Sequence, residues 1–132
     1  MVKSRIEVVF GCSLEKVWNI VTSLEEYSWR SDIKKIEVVE LNKKFIEYSK
    51  DSNYPTTFTI TKFELYKCYE FDMENSNMIG HWTGTFSDSN GKSCLVFTET
   101  VQAKKFYLKP FLKMYLRKQQ TNYINDLRSI CH

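Results

Sequence analysis

The chain has 132 residues, 42% of them hydrophobic and 27% charged, with only 4 Gly and 2 Pro. That is the composition of an ordered globular protein, and the length fits a single domain, 1–132, with one sizeable core. A net charge of +3 is too mild to mark a nucleic-acid binder, and nothing approaches the roughly 18 consecutive apolar residues of a membrane span.

Aromatic residues make up 15% of the chain and recur on the predicted strands as well as on the last helix. Such a core suits either dense packing or a cavity with flat walls. Cys12, Cys68, Cys94 and Cys131 are far apart and form no Cys-x-x-Cys pair, and the only histidines are His81 and His132. Short-spaced ligands for zinc are therefore absent, and no cofactor is implied. The N-terminus shows no charged start followed by an apolar run, so the expectation is a cytoplasmic protein with reduced thiols.

In chain order, Ile6, Val8 and Phe10 alternate with Arg5, Glu7 and Val9 in a first strand that ends at Gly11. Ser13 is placed to cap a helix with Glu15 in its first turn, and Leu14, Val17, Trp18, Val21 and Leu24 follow helical spacing. Glu25 to Ser31, with Tyr27, Trp29 and Arg30, reads as a short second helix or a loop.

Strands are then expected at Ile33–Leu41 and Phe45–Lys50, joined at Asn42-Lys43, and a turn at Asp51-Ser52-Asn53 leads past Pro55. The next strand, Thr56–Lys67, slips phase between Ile60 and Phe63, which predicts a bulge. In the fifth strand Tyr69, Phe71 and Met73 alternate with Glu70, Asp72 and Glu74, a pattern with one buried face. Met78–Ser87 and Ser93–Ala103 flank Asn90-Gly91, a strong hairpin signal.

A two-residue turn at Asn90-Gly91 sets Phe86 opposite Leu95, Gly84 opposite Phe97, Trp82 opposite Glu99 and Gly80 opposite Val101. This register gathers the large apolar groups on one face, whereas a one-residue slip would scatter them. It predicts open space at Gly80 and Gly84 beside Trp82, an outward His81, and an inward Glu99. An inward carboxylate must be paired, hydrogen-bonded or protonated. Glu99 is thus a ligand anchor or general acid/base, or else a structural partner of Trp82 or a tyrosine hydroxyl.

The last stretch, Phe106 to His132, is long enough for a helix of several turns. Leu108, Leu112, Tyr115, Leu116, Tyr123, Leu127 and Ile130 fall on one side at 100° per residue. Gln119 interrupts that side and is positioned to reach Glu99, a ligand or a backbone group. Pro110 belongs in the first turn or at a kink. Lys104, Lys105, Lys109, Lys113, Arg117 and Lys118 cluster around the start of the helix, as a solvated face or as an attractor for an anionic ligand or a membrane surface. Hairpin-linked strands with segregated helices make an α+β fold on an antiparallel sheet.

This order of elements resembles the helix-grip fold of the START-like superfamily (SRPBCC), in particular its polyketide cyclase/dehydrase branch. The resemblance covers nearly the whole chain. It rests on Cys12-Ser13-Leu14-Glu15-Lys16-Val17-Trp18, Trp29-Arg30-Ser31-Asp32-Ile33, Tyr54-Pro55-Thr56-Thr57-Phe58, Gly80-His81-Trp82-Thr83-Gly84-Thr85-Phe86 and the long last helix.

The resemblance implies a curved seven-stranded antiparallel sheet wrapped around the C-terminal helix. Two short helices after the first strand would plug one end, and a hydrophobic cavity would lie between sheet and helix. It implies no catalytic motif. The expected function is binding or transport of a small hydrophobic ligand, a lipid, polyketide or other aromatic-like molecule. The expected lining is Phe71, Trp82, Phe97, Glu99, Tyr115, Gln119 and Tyr123. The alternatives are an aromatase/cyclase or dehydratase-type enzyme with Glu99 as general acid/base, and a protein-interaction module that uses the outer face at Glu70, Asp72 and Glu74.

Overall fold

A computed structural model describes residues 1–51 and 54–132; the turn expected at Asp51-Ser52-Asn53 therefore falls partly outside the described residues. The elements in order are β1 (Val2–Phe10), α1 (Leu14–Thr22), β2 (Ile33–Glu40), β3 (Lys44–Ser49), β4 (Thr56–Glu64), β5 (Cys68–Glu74), β6 (Met78–Ser89), β7 (Lys92–Ala103) and α2 (Lys109–Ile130). A 3₁₀ turn, Phe106–Leu108, leads into α2, and Pro110 sits in its first turn, where its missing N–H is not needed. Glu25 to Ser31 forms turns; no second short helix is present there.

All seven strands lie in one antiparallel sheet of order β1-β7-β6-β5-β4-β3-β2. The hairpin register is the one that buries the apolar groups: Trp82 pairs with Glu99, Gly84 with Phe97 and Phe86 with Leu95. Asn90 and Gly91 both take positive φ, as a tight two-residue turn between right-twisted strands requires. The β4–β5 pairing shifts between Ile60 and Lys62, where the apolar phase of the sequence slips.

The core lies between the concave face of this sheet and the two helices. Ser13 caps α1 by accepting from the Lys16 amide, and Val17 and Trp18 of that helix are buried. Trp18 packs edge-on against Phe86, Phe63, Tyr66 and Tyr69, so α1 closes one end of the groove. Leu112, Leu116, Gln120 and Leu127 are the buried residues of α2. That stripe is centred about 45° away from the face expected at 100° per residue. Tyr115 is accordingly half-exposed and Ile130 lies at the surface.

Two expectations are corrected here. Cys12 and Cys131 are not reduced thiols: they form a disulfide with Cα atoms 5.4 Å apart, fastening the end of α2 to the start of α1; Cys68 and Cys94 are free. The glycines beside Trp82 do not leave open space. The Trp82 ring itself lies over Gly84, where a Cβ would collide with it, and a Cβ on Gly80 would stand 2.7 Å from the Thr100 carbonyl oxygen.

Candidate functional site

The inward positions of neighbouring strands carry an aromatic ribbon. Phe45 on β3 stacks on Phe58 on β4 at 4.8 Å between ring centroids, and Phe58 meets Phe71 on β5 edge-on at 5.1 Å. Phe71 stacks on Trp82 on β6 at 5.0 Å, and Trp82 on Phe97 on β7 at 5.8 Å. The cause is register: Phe45 is directly opposite Phe58, and Phe71 opposite Trp82, so their side chains leave the same face of the sheet. Tyr123 on α2 closes over the end of the ribbon, 6.2 Å from the Phe97 ring.

Between this ribbon and α2 lies a cavity of about 140 Å³. All seven residues expected to line it, Phe71, Trp82, Phe97, Glu99, Tyr115, Gln119 and Tyr123, do contribute to its walls. The wall also includes Tyr27, Arg30, Asp32, Glu47, Tyr69 and Gln120, none of them assigned to the site from sequence. Tyr54, Tyr115 and Gln119 stand at its partly exposed rim.

Gln119 is not the glutamine that meets Glu99. It is half-buried and donates to the Tyr115 hydroxyl at 2.8 Å. Its neighbour Gln120, 4% exposed, accepts from Ser4 Oγ at 2.8 Å and donates to Glu99 Oε1 at 3.4 Å. The rotated buried stripe of α2 explains the exchange, since position 120 follows Leu112 and Leu116 at i+4 steps. Burial pushes the Glu99 carboxyl up to about 7; the Gln120 bond opposes the rise and the charge of Glu47 adds to it.

The polar end of the cavity is an ion cluster. Arg30 donates from Nε and Nη2 to both oxygens of Asp32, each at 3.1 Å, and its Nη1 lies 3.6 Å from Glu47 Oε2. The guanidinium also lies 5.1 Å from the Tyr123 ring centroid and 5.7 Å from that of Trp29, two rings that meet each other edge-on at 5.4 Å. Burial works against the Arg30 charge, but Glu47 and Asp32 outweigh it and hold the group protonated. Burial raises the Glu47 carboxyl, and Arg30, already engaged by Asp32, offsets this only in part. The loop bearing Arg30 is fixed to α2 by Ser31, whose backbone N–H and hydroxyl both donate to Asp126 Oδ2 at 2.8 Å.

A sequence signal for Glu47 exists. With Phe45 inward on a short strand, period-two alternation turns Glu47 inward as well, by the same logic that found Glu99. Arg30 and Asp32 lie outside any periodic element, so only the folded loop brings them in.

On the outer face His81 is bracketed by Asp72 at 2.6 Å and Glu70 at 3.0 Å, and Glu74 pairs with Lys104 at 2.6 Å. Partial burial lowers the His81 pKa, but the bonds to those two carboxylates outweigh it and raise the group overall. No group of His, Cys, Asp and Glu arranged to hold a metal occurs among the described residues. Among them, no helix is long and apolar enough to cross a membrane.

The geometry recurs in solved structures. A START superfamily protein from Mycobacterium smegmatis superposes with a TM-score of 0.85 at 12% identity, over 96% of this chain and 94% of that one. This chain has the START-like helix-grip fold. A conserved protein from Geobacillus kaustophilus gives 0.84 at 9% identity, over 97% and 93% of the two chains. DynU16, from the dynemicin biosynthetic locus, gives 0.72 at 10% identity, over 96% of this chain and 46% of its own. At these identities the START-like likeness is one of fold. No protein-family profile and no curated protein matches the sequence.

Proposed function

We propose that this chain binds and carries a small, mostly apolar molecule, of about one or two rings, that bears a hydrogen-bond donor. The observation behind this reading is the cavity itself, with an aromatic ribbon along one wall and carboxylates at its polar end. Its volume is close to the ~150 Å³ of an engineered cavity that accepts benzene and below the ~300–1,000 Å³ of drug-sized pockets, so a long-chain lipid or sterol fits poorly.

The polarity of the ligand follows from which groups are already engaged. Arg30 directs its donors to Asp32 and Glu47, two carboxylates that already answer its charge, so it has little to offer an anionic ligand. Glu99 has an oxygen with no protein partner among the described residues. No sealed polar side-chain atom among them lacks a partner, so that oxygen opens on the cavity. Above about pH 7, where Glu99 is ionised, an amine, phenol or amide N–H answers it and a carboxylate is repelled.

Native mass spectrometry of the purified protein, followed by thermal-shift titration above about pH 7 with matched aromatic amines, phenols and carboxylates, tests the reading. A retained compound, or stabilisation by donors and not by carboxylates, is expected. A protein that retains nothing and is stabilised by none of them, or by carboxylates alone, overturns it.

One observation favours an enzymatic reading as the second choice. A carboxyl near pKa 7 inside a cavity can give and take protons at neutral pH, as a cyclase or dehydratase would need. If a compound found by native mass spectrometry is turned over, and Glu99→Gln abolishes turnover while retaining binding, this reading replaces the carrier.

A further inference from the structure

The start of α2 presents a surface that the fold does not use. Phe106 is 83% exposed, Tyr107 56%, Phe111 63% and Met114 71%, and Tyr115 is 48% exposed. They form one patch. The Phe106 and Tyr107 rings of the 3₁₀ turn touch edge-on at 5.8 Å, and Phe111, Met114 and Tyr115 share a side of α2 at i+3 and i+4 steps. Apolar side chains scattered singly over a surface need no explanation, but a contiguous ridge of large ones does.

The charge around the ridge has one sign. No acidic residue lies between Glu99 and Asp126, whereas Lys104, Lys105, Lys109, Lys113, Arg117 and Lys118 do. Lys104 is paired with Glu74, and Lys105 bonds the Asn77 side chain. Among the described residues, the side chains of Lys109, Lys113, Arg117 and Lys118 make no bond to the protein. The rest of the chain is net acidic, since the whole carries 19 basic against 16 acidic residues. At 100° per residue Lys118 falls among Phe111, Met114 and Tyr115, and Arg117 lies beside Met114, so these two cations border the ridge, whereas Lys109 and Lys113 fall on the other side of the helix.

We propose that this ridge docks the protein on an anionic lipid bilayer, with Phe106, Phe111 and Met114 entering the headgroup boundary and Arg117 and Lys118 against the lipid phosphates. Charge complementarity argues against a second copy of the chain, because a two-fold contact through this face would press two cationic patches together. Protruding aromatic side chains flanked by cations suit a surface that yields to insertion. The reading does not depend on what occupies the cavity, although the shared residue Tyr115 puts the cavity rim beside the docked face.

Co-sedimentation with phosphatidylcholine vesicles, with and without phosphatidylglycerol, tests this on the full chain. Binding is expected to the phosphatidylglycerol vesicles alone and should weaken as salt is raised. Phe106→Ser with Phe111→Ser should weaken it about tenfold or more. Arg117→Gln and Lys118→Gln should each weaken it about fivefold. All four side chains are exposed, so the variants should keep the wild-type melting temperature, which is measured alongside.

Absence of binding to phosphatidylglycerol vesicles overturns the proposal, as does equal binding to both vesicle types. If the charge variants lose binding but the Phe variants do not, and soluble polyglutamate competes fully, the surface serves an acidic polypeptide and the bilayer proposal fails.

Discussion

Gln120 Nε2 donates to Glu99 Oε1 at 3.4 Å, and with the bond from Ser4 Oγ to Gln120 Oε1 it ties α2 to the wall of the sheet. Glu99 is 8% exposed, so its ionisation in the folded protein waits until about pH 7, against 4.5 in the unfolded chain. Between those values the folded protein holds a proton that the unfolded chain has lost. Stability must therefore fall as pH rises through that window, and the deficit is complete above the folded pKa.

Replacing Glu99 with Gln removes this titration while leaving an amide oxygen to accept from Gln120. Relative to wild type, Glu99→Gln should gain on the order of 2–3 kcal/mol between about pH 4 and pH 8. Urea unfolding of both proteins at the two pH values measures it. A difference between variant and wild type that does not change with pH would show that Glu99 titrates in the folded protein as it does in the unfolded chain.

Arg30 gives the opposite case, a charge whose removal strands its partners. Arg30→Met leaves Asp32 and Glu47 facing each other at the polar end of the cavity and should destabilise by about 3 kcal/mol or more. Adding Glu47→Leu should recover part of that loss, since an apolar pair of similar volume avoids the desolvation of an ion pair. Denaturant midpoints of the single and double variants decide it. A single variant within about 0.5 kcal/mol of wild type would mean that the cluster is effectively solvated.

The contrast between Glu99 and Arg30 also shows where sequence reading reaches its limit. Strand alternation and an Asn-Gly turn set the whole β6–β7 register, so the pattern of residues alone places Trp82, Phe97 and Glu99 on one face. Position on a helix is less constrained. A rotation of α2 by about half a residue step decides whether Gln119 or Gln120 faces the core, and the stripe of Tyr and Leu is wide enough to fit either centring. Arg30 and Asp32 sit in a loop with no period at all, held by Ser31 to Asp126 on α2, a contact between residues distant in sequence that no local pattern announces. The pairing of Cys12 with Cys131 is of the same kind: it depends on the end of α2 returning to the start of α1.

That disulfide makes its own prediction. It closes a sequence separation of 119 residues, which in the chain-entropy account stabilises by roughly 4–5 kcal/mol. Cys131→Ser should lower the melting temperature under non-reducing conditions, and reductant should bring wild type down to the level of the variant without affecting the variant. Thiol titration in denaturant without reductant should find only Cys68 and Cys94 free. Finding all the cysteines titratable would remove the disulfide from the account.

Gly84 tests the aromatic ribbon directly. The Trp82 ring lies over its Cα, so any Cβ must push the ring away from its stack on Phe71, now at 5.0 Å. Gly84→Ala should cost about 1–3 kcal/mol by overpacking and should alter the near-ultraviolet circular dichroism of the Trp82 ring. Gly11→Ala is the control, because nothing lies within 4 Å of the added carbon, and it should be close to neutral. The cause is isolated by Trp82→Leu: in that background the smaller side chain leaves room for the added methyl group, and the penalty of Gly84→Ala should largely disappear. An undiminished penalty in the Trp82→Leu background would place its origin in the backbone of β6 and not in the ring that forms the cavity wall.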